Sequence, residues 1–496
     1  MPAITSLQAP LEALDILYRL RQAGFEAYFC GGCVRDALLG KKPKDFDIAC
    51  SAPPDRVENL FPGSIPIGKA FGVILVQGMA GGRYEVATFR SENGYSDGRR
   101  PDMVTFSSAP EDAKRRDFTM NALFFDPSSG QVVDYVGGVA DIRRKLLRTV
   151  GNPNERFRED HLRLLRAVRF AARTGFSLDQ PTRRAMFEMA DLLRIISPER
   201  VAAELEAMLL GGNSRDAFAM LREFGFLPII LPEAAALSGV KQPPEFHPEG
   251  DVWIHTLLML LENDLAKRGE TSILDFSVQS DIGTTRGMDR GRFNGAEYLM
   301  GIRECRAALG RDQECILAWS ALLHDIGKPA TFTVDDRIRF NGHDSLGAEM
   351  AVAILERLRR SRRLIDGVGE IVRRHINFST LRRMRKSKLR RWLAGDDFPV
   401  HLELHRLDCV ASHRMLGNWF FGIESWREEK KRPPVPEPLL RGGDIVGLGI
   451  PPGPEIGRLL RLIEDARLEG EICNKDEALG LVLRNCPFSP DGTVSP

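Results

Sequence analysis

Apolar positions in LEALDILYRLRQAG (residues 11–24) recur at helical spacing and stop at Gly24, so a helix is expected there. FEAYFCGG and KDFDIAC then read as short strands around a glycine turn and a short helix, VRDALLG. FGVILVQGM and GRYEVATFR have strand character as well, and the first 150 residues therefore predict one mixed sheet with helices. From Arg156 onward the pattern is helical almost without interruption. Two stretches break it. Residues 266–310 are polar, glycine-containing and weakly periodic, which predicts an insertion or mobile loop. The cluster KRPPVPEP at 431–438 sets off a small C-terminal segment carrying GIPPGPEIGRLLRLIEDARLEGE.

At 496 residues the chain has room for about three domains. Its 69 Lys and Arg against 68 Asp and Glu leave a charge of +1, which excludes a polybasic coat, so any nucleic-acid binding has to come from local patches. Two exist: residues 141–200 hold 14 basic against 8 acidic side chains, and residues 351–400 hold 14 against 5. Each is either a solvated helix face or a polyanion contact. The first 20 residues have no continuous apolar core and no stretch nears the roughly 18 apolar residues of a spanning helix, so neither a signal peptide nor a membrane anchor is expected. Eight irregularly spaced cysteines fit a reducing, cytoplasmic setting without a disulfide framework, and Cys30 and Cys33, a CxxC with no second pair, read as packing residues.

The candidate chemistry begins at GGCVRDALLGKKPKDFDIA. Asp45 and Asp47 lie two apart on a strand-like run, which turns both carboxylates to one face about 6 to 7 Å apart. Such a pair suits Mg²⁺, a hard cation that takes carboxylate oxygens and clamps the reacting oxygens of a phosphoryl transfer. A bare DxD is more often a solvated strand edge. Here Gly31 and Gly32 let a triphosphate approach the backbone, and Arg35 on the following helix can neutralise phosphate charge.

This run resembles the first motif of the class II CCA-adding tRNA nucleotidyltransferase and bacterial poly(A) polymerase family, within the polymerase β-like superfamily. The resemblance continues through TFRSENGYSDGRRPDMVTF (88–106), KRRDFTMNAL (114–123), DYVGGVADIRRKLLRTVG (134–151) and RFREDHLRLLRAVRFAARTGF (156–176). It implies that Asp45 and Asp47 bind the metal and that Gly32, Arg35 and Arg116 contact the incoming nucleotide. A third acidic residue is common in the superfamily. Glu85 is a candidate for it, with a strand-surface role equally open.

In Glu159-Asp160-His161-Leu162-Arg163, the spacing places Leu162, Leu165, Val168 and Ala172 on one helical face and Glu159, Arg163 and Arg166 on another. One reading is an intrahelical salt bridge worth about 0.3 to 0.5 kcal/mol. The other is base selection. A carboxylate accepts from an exocyclic amine and a guanidinium donates to a ring nitrogen, so the pair admits cytosine and adenine while guanine and uracil leave buried groups unpaired. The family resemblance implies the second, with Asp160 and Arg163 reading the base, Arg166 and Arg169 completing the pocket and Glu159 orienting. The polar loop at 91–100, with Gly94 and Gly98, resembles the flexible loop by which such enzymes switch from CTP to ATP.

Eight of the nine histidines lie between residues 247 and 413, and ALLHDIGKP sets His324 beside Asp325, with Lys328 one turn on for a phosphate. This resembles the HD phosphohydrolase domain. On that resemblance His255, His324, Asp325 and Asp408 hold one metal, with His343 and His375 as candidates for a second, and the domain is either catalytic or a fold that has lost its chemistry.

The fold class expected is α+β: a polymerase β-like nucleotidyltransferase head of mixed sheet and helices (1–150), then an all-helical neck (151–240), HD domain (241–425) and C-terminal segment (436–490). The expected activity is template-independent addition of CCA to tRNA 3′ ends from CTP and ATP, with Mg²⁺, possible further divalent metal in the HD domain, no membrane and no obligate protein partner. Two alternatives stay open: a poly(A) polymerase or A-adding enzyme of the same family, and an HD metal phosphohydrolase carrying a relic nucleotidyltransferase module.

Overall fold

The computed structural model describes residues 7–95, 98–99, 101–272, 295–432 and 438–486. They divide into two compact units, Met1–Ala236 with Arg357–Arg360, and Leu237–Glu356 with Ser361–Pro496.

The first unit opens with α1 (Leu11–Gln22), whose buried stripe Ala13, Ile16, Leu17 and Leu20 follows the helical spacing of the sequence. β1 (Ala27–Cys30), α2 (Gly32–Leu38), β2 (Asp47–Cys50), α3 (Pro54–Leu60), β3 (Ile65–Gly68), β4 (Val73–Gln77) and β5 (Arg83–Thr88) follow. Then come the hairpin β6 (Arg90–Asn93) and β7 (Met103–Phe106), α4 (Ala109–Arg115), β8 (Leu123–Asp126), β9 (Gln131–Asp134) and α5 (Gly138–Arg143). Seven strands make one mixed sheet in the order β3-β4-β5-β2-β1-β8-β9, and β6 and β7 pair separately. β2 is central, antiparallel to β1 with Cys30 opposite Asp47, and parallel to β5 with Ile48 level with Val86. Ile48 and Val86 are fully buried, and period-2 alternation then turns Asp47 and Glu85, one position earlier on each strand, to the opposite face. Cys30 and Cys33 are buried, and the Cys33 thiol donates to the Cys30 carbonyl at 3.2 Å, so the pair packs the sheet.

Two short β-strands, β10 (Leu146–Leu147) and β11 (Ser177–Leu178), bracket the start of the helical part of this unit. Its helices are α6 (Pro153–Glu159), α7 (Arg163–Thr174), α8 (Gln180–Glu188), α9 (Pro198–Leu210), α10 (Ser214–Glu223), α11 (Leu227–Ile230) and α12 (Pro232–Ala235). α7 packs on α9 and α10 and buries Leu164, Leu165, Val168 and Ala171.

The second unit comprises α13 (Val252–Lys267), α14 (Gly295–Ala308), α15 (Arg311–Leu323), α16 (Lys328–Thr331), α17 (His343–Arg357), α18 (Arg362–Arg374), α19 (Lys386–Leu393), α20 (Phe398–Ala411) and α21 (Gly417–Lys431). α13, α15, α18 and α20 pack together at its centre. The last helices, α22 (Gly442–Val446), α23 (Pro454–Glu469) and α24 (Lys475–Asn485), close a small core of their own around Leu440, Ile445, Leu459, Ile463 and Val482.

The expectation of an irregular insertion over 266–310 is corrected at both ends. α13 runs to Lys267 and α14 occupies 295–308, while 273–294 lie outside the described residues. α14 is a core helix: Tyr298, Ile302 and Cys305 are fully buried, Tyr298 packs edge-on to Trp419 at 5.2 Å, and its hydroxyl accepts from Arg406 at 2.9 Å. Its apolar stripe has only three members among charged and glycine positions, too dilute for a clear period.

Candidate active site: a carboxylate strand, a base-reading junction and a histidine cluster

Asp47 opens β2 and is half-buried, whereas Asp45 and Glu85 are exposed. The strand starts at Asp47, so Asp45 lies on its approach rather than within it, a correction to the expected DxD strand. Burial pushes the Asp47 carboxyl up to about 6; Glu85 and Asp45 add to the rise and Arg116 opposes it. A half-buried carboxylate with two neighbouring carboxylates that raise it is a set of hard oxygen donors that a divalent cation satisfies. Their oxygens do not all come within 4.8 Å of one another; among the described residues the groups that do are in the second unit.

Gly31 caps α2 with φ +70°, and a Cβ there would lie 3.2 Å from Arg116 Nη1, so glycine is needed for both the turn and the approach of that guanidinium. Arg116 is itself held by Asp112 Oδ2 at 3.0–3.1 Å and by the Asn121 carbonyl at 3.1 Å. Arg35 faces inward. It is 4% exposed, ion-paired with Asp36 at 2.7 Å, and donates to Asn121 Oδ1 at 2.6 Å. From there Asn121 Nδ2 donates to Asp117 Oδ1 at 3.1 Å, and Arg166 donates to Asp117 Oδ2 at 2.6 and 2.9 Å. One buried polar network thus links α2 to α7.

The EDxxR segment is a junction between helices, which corrects the single helix expected. α6 ends at Glu159, Asp160 is extended (φ −141°, ψ 105°), and α7 begins at Arg163. Asp160 and Arg163 have separate supports. Arg200 Nη2, on α9, lies 2.9 Å from each Asp160 oxygen, and the Leu162 amide donates to Oδ1 at 3.1 Å. Arg163 donates to Glu159 at 2.6 Å and to the Arg156 and Arg115 carbonyls at 3.1 Å. Arg169 donates to Glu204 on α9 at 2.7 Å. The 91–100 loop touches this junction. The His161 amide donates to the Gly98 carbonyl at 3.2 Å, and with φ +64° and a hypothetical Cβ only 2.1 Å from the His161 ring, position 98 admits glycine alone. Residues 96, 97 and 100 of that loop lie outside the described residues.

In the second unit, the ends of α15 and α18 place His324 and His375, two helix C-termini whose partial negative charge favours a cation. His255 comes from α13, Asp408 from α20 and His343 from the start of α17. The four histidines converge on Asp325. His324 Nε2 lies 3.1 Å and His255 Nε2 3.9 Å from its Oδ2, and His343 and His375 Nε2 lie 3.6 and 4.0 Å from its Oδ1. Asp408 Oδ1 is 3.2 Å from His255 Nε2. His255 Nε2, His324 Nε2 and Asp325 Oδ2 are buried and grouped without a well-aligned hydrogen bond among them, a set of imidazole nitrogens and carboxylate oxygen that a transition-type divalent metal satisfies. Burial, then His324, depresses His375 to about 4, leaving it neutral and available as a ligand. Lys328 Nζ lies 2.7 Å from Asp325 Oδ2 and donates to the buried Gln242 at 2.6 Å.

Sequence reasoning missed Asp112, Asp117, Asn121, Arg200, Glu204 and Gln242. Asp117 and Asn121 lie inside KRRDFTMNAL, so a signal existed for them, whereas Arg200, Glu204 and Gln242 carry none.

A mixed sheet with neighbouring carboxylates, followed by an arginine-lined helical junction and a histidine-rich helical unit, has the layout of a nucleotidyltransferase-type head joined to an HD-type fold. Comparison with known proteins agrees. Residues 27–148 match the poly A polymerase head domain, 175–237 the probable RNA and SrmB-binding site of polymerase A, and 296–400 the HD domain. The chain is 45% identical over 233 residues to a CCA-adding enzyme of Bacillus velezensis, covering 47% of this chain and 57% of that one. It is 48% identical over 225 residues to one of Geobacillus thermodenitrificans, covering 45% and 55%. The chain thus spans little more than half the length of these curated relatives. The Bacillus stearothermophilus CCA-adding enzyme in complex with CTP superposes with a TM-score of 0.62 at 27% identity, covering 96% of this chain and 97% of that one. A Thermotoga maritima CCA-adding enzyme complexed with tRNA shares the fold at TM-score 0.54 and 19% identity, covering 97% of each chain. The chain thus carries regions matching a poly A polymerase head, a polymerase RNA-binding region and an HD domain, and it is similar to CCA-adding enzymes over about half its length. The HD match begins after His255 and ends before Asp408, yet the fold brings His255 to Asp325 and Asp408 to His255. No helix among the described residues is long and apolar enough to cross a membrane.

Proposed function

We propose that the protein adds CCA to tRNA 3′ ends from CTP and ATP without a template. The observation that carries the reading is the presence in one unit of neighbouring carboxylates at the start of β2 and on β5 together with a braced Asp160 and Arg163. Asp45 and Asp47, with Glu85 beside Asp47, would hold Mg²⁺, which supplies charge neutralisation at the triphosphate and a more acidic RNA 3′ hydroxyl. The 3′ hydroxyl attacks the α-phosphate and pyrophosphate leaves. Gly32 and Arg116 line the phosphate approach. Arg35 acts from behind it, through Asn121 and Asp117, by fixing α2 against α7.

Base choice rests on Asp160 and Arg163. Oδ1 of Asp160 already accepts from both Leu162 and Arg200, so Oδ2 is the freer acceptor for an exocyclic amine. Arg163 offers a donor to the ring acceptor of cytosine or adenine, and Arg166 and Arg169 flank it. Contact of Gly98 with His161 supports the reading that the 91–100 loop acts on the pair between the C and A steps. The solved relatives described as complexes with CTP and with tRNA support the substrates.

In the HD domain, His255, His324, Asp325 and Asp408 would hold one divalent metal, and Asp325, His343 and His375 a second. The metals would supply an activated water and charge stabilisation for phosphoester hydrolysis, with Lys328 placed to meet a phosphate oxygen.

The test is to incubate purified protein with tRNA ending before CCA, supply CTP and ATP, and sequence the products. Addition stopping at CCA supports the proposal. Long adenosine tails on generic RNA without CTP use would move the protein to the poly(A) branch of the family.

A further inference from the structure

Glu249, in the loop QPPEFHPEG ahead of α13, belongs to no metal-ligand pattern in the sequence, yet its carboxylate is buried against the HD cluster. Its Oε1 lies 2.8 Å from His255 Nδ1 and 2.9 Å from His247 Nδ1. Asp251 fixes the loop: Oδ1 caps α13 at the Ile254 amide (2.8 Å) and Oδ2 accepts from the Gly239 amide (2.6 Å). The fully buried His255 ring is thus gripped on its Nδ1 side while Nε2 points to the carboxylates of the cluster, 3.2 Å from Asp408 Oδ1 and 3.9 Å from Asp325 Oδ2.

We propose that Glu249 is a positioning residue for the HD metal site: by accepting from His255 Nδ1–H it fixes the tautomer and ring orientation that present the Nε2 lone pair to a divalent cation. This rests on the metal reading of the HD cluster above. A carboxylate behind a ligating imidazole orients the ring and raises its basicity, and removing such a partner costs about 10- to 100-fold in metal affinity. His247, Glu249 and His255 are close enough to form a ligand group by themselves. That use would require the His255 imidazole to bridge two cations with both nitrogens deprotonated, so the orienting role is favoured.

The experiment titrates full-length protein with Co²⁺, following the ligand-field absorption of a histidine-containing site, which separates it from an all-oxygen site in the head, and checks folding by circular dichroism. Wild type should show the band and Asp325→Ala should lose it. Glu249→Ala should keep the stoichiometry and weaken binding about 10- to 100-fold. Glu249→Gln, which retains an acceptor oxygen of similar shape, should recover part of that loss, and His247→Ala should bind as wild type does. Wild-type affinity in both Glu249 variants overturns the proposal. So does loss of one equivalent of cobalt in Glu249→Ala and His247→Ala alike, which would make the trio a site of its own. A missing band in wild type, or one that survives Asp325→Ala, instead refutes the metal reading and removes the basis of the Glu249 proposal with it.

Discussion

Arg200→Ala isolates the support of the base-reading carboxylate. Arg200 Nη2 bridges both Asp160 oxygens at 2.9 Å, and the two side chains are 21% and 20% exposed. A fully exposed pair is worth about 0 to 1 kcal/mol and a charged hydrogen bond in a buried setting about 1.5 to 3. At one-fifth exposure the loss of folding stability should fall between, at about 1 to 2 kcal/mol. The catalytic loss should be larger. Without Arg200, Asp160 keeps only the Leu162 amide and is free to turn about χ1, and misplacement of a positioning group by about 1 Å costs roughly 100-fold in rate, or about 2.7 kcal/mol. Single-turnover addition to tRNA lacking CCA should therefore fall about 10- to 100-fold for both CTP and ATP, with a relative rise in UTP incorporation. Arg200→Lys, which keeps the charge and loses the planar fork, should lie between. If Arg200→Ala loses the expected stability while its CTP-to-UTP preference and kcat/KM stay at wild-type values, Arg200 only braces α9 against the junction and Asp160 does not read the base.

Asp47→Asn should abolish addition of both nucleotides while raising the thermal midpoint above pH 6. The folded carboxyl titrates near 6 against 3.8 unfolded, so between those values the unfolded chain binds fewer protons and the wild-type contribution worsens as pH rises; a midpoint difference independent of pH from 4 to 7 would refute this. Gly98→Ala should impair the final A step on tRNA ending in CC more than the C steps, because the αL conformation costs about 1 to 2 kcal/mol and its Cβ overlaps the His161 ring; equal loss at every step would remove the loop from the switch. Arg163→Ala should raise UTP use relative to CTP without ending turnover, as read by competition on one tRNA. His324→Ala with Asp325→Ala should leave nucleotide addition intact while removing any metal-dependent hydrolysis of phosphomonoesters or 2′,3′-cyclic phosphates, measured on the same folded preparation.

Much of this was legible because it is local. Helical spacing located α1, glycine and charged motifs located α2, β2 and the EDxxR segment, and adjacency located His324 and Asp325. What stayed hidden depends on chain crossings. Glu85 could be only a guess, because its place beside Asp47 follows from the parallel pairing of β2 with β5. Arg200 and Glu204 sit in a helix whose spacing says core or surface and nothing about Asp160 or Arg169. Glu249 lies in a proline-rich loop with no period, and only the turn into α13 returns it to His255. Arg35 was expected to face phosphate because sequence shows which helix turn it occupies, not that Asp36, Asn121 and Phe170 surround it.

The interruption between α6 and α7 also sets where the chain can change length. An insertion of one residue inside a continuous helix rotates everything beyond it by about 100°. Arg166, Arg169 and Arg173 are locked to Asp117, Glu204 and Asp36, each on a different segment of the chain, and a shift within α7 would break all three pairs together. At the extended Asp160, an added or lost residue in α6 can be absorbed before that row begins. Gaps between homologous chains should therefore collect before residue 160 and be absent from 163 to 173, and a designer transplanting the pocket should cut at the bend.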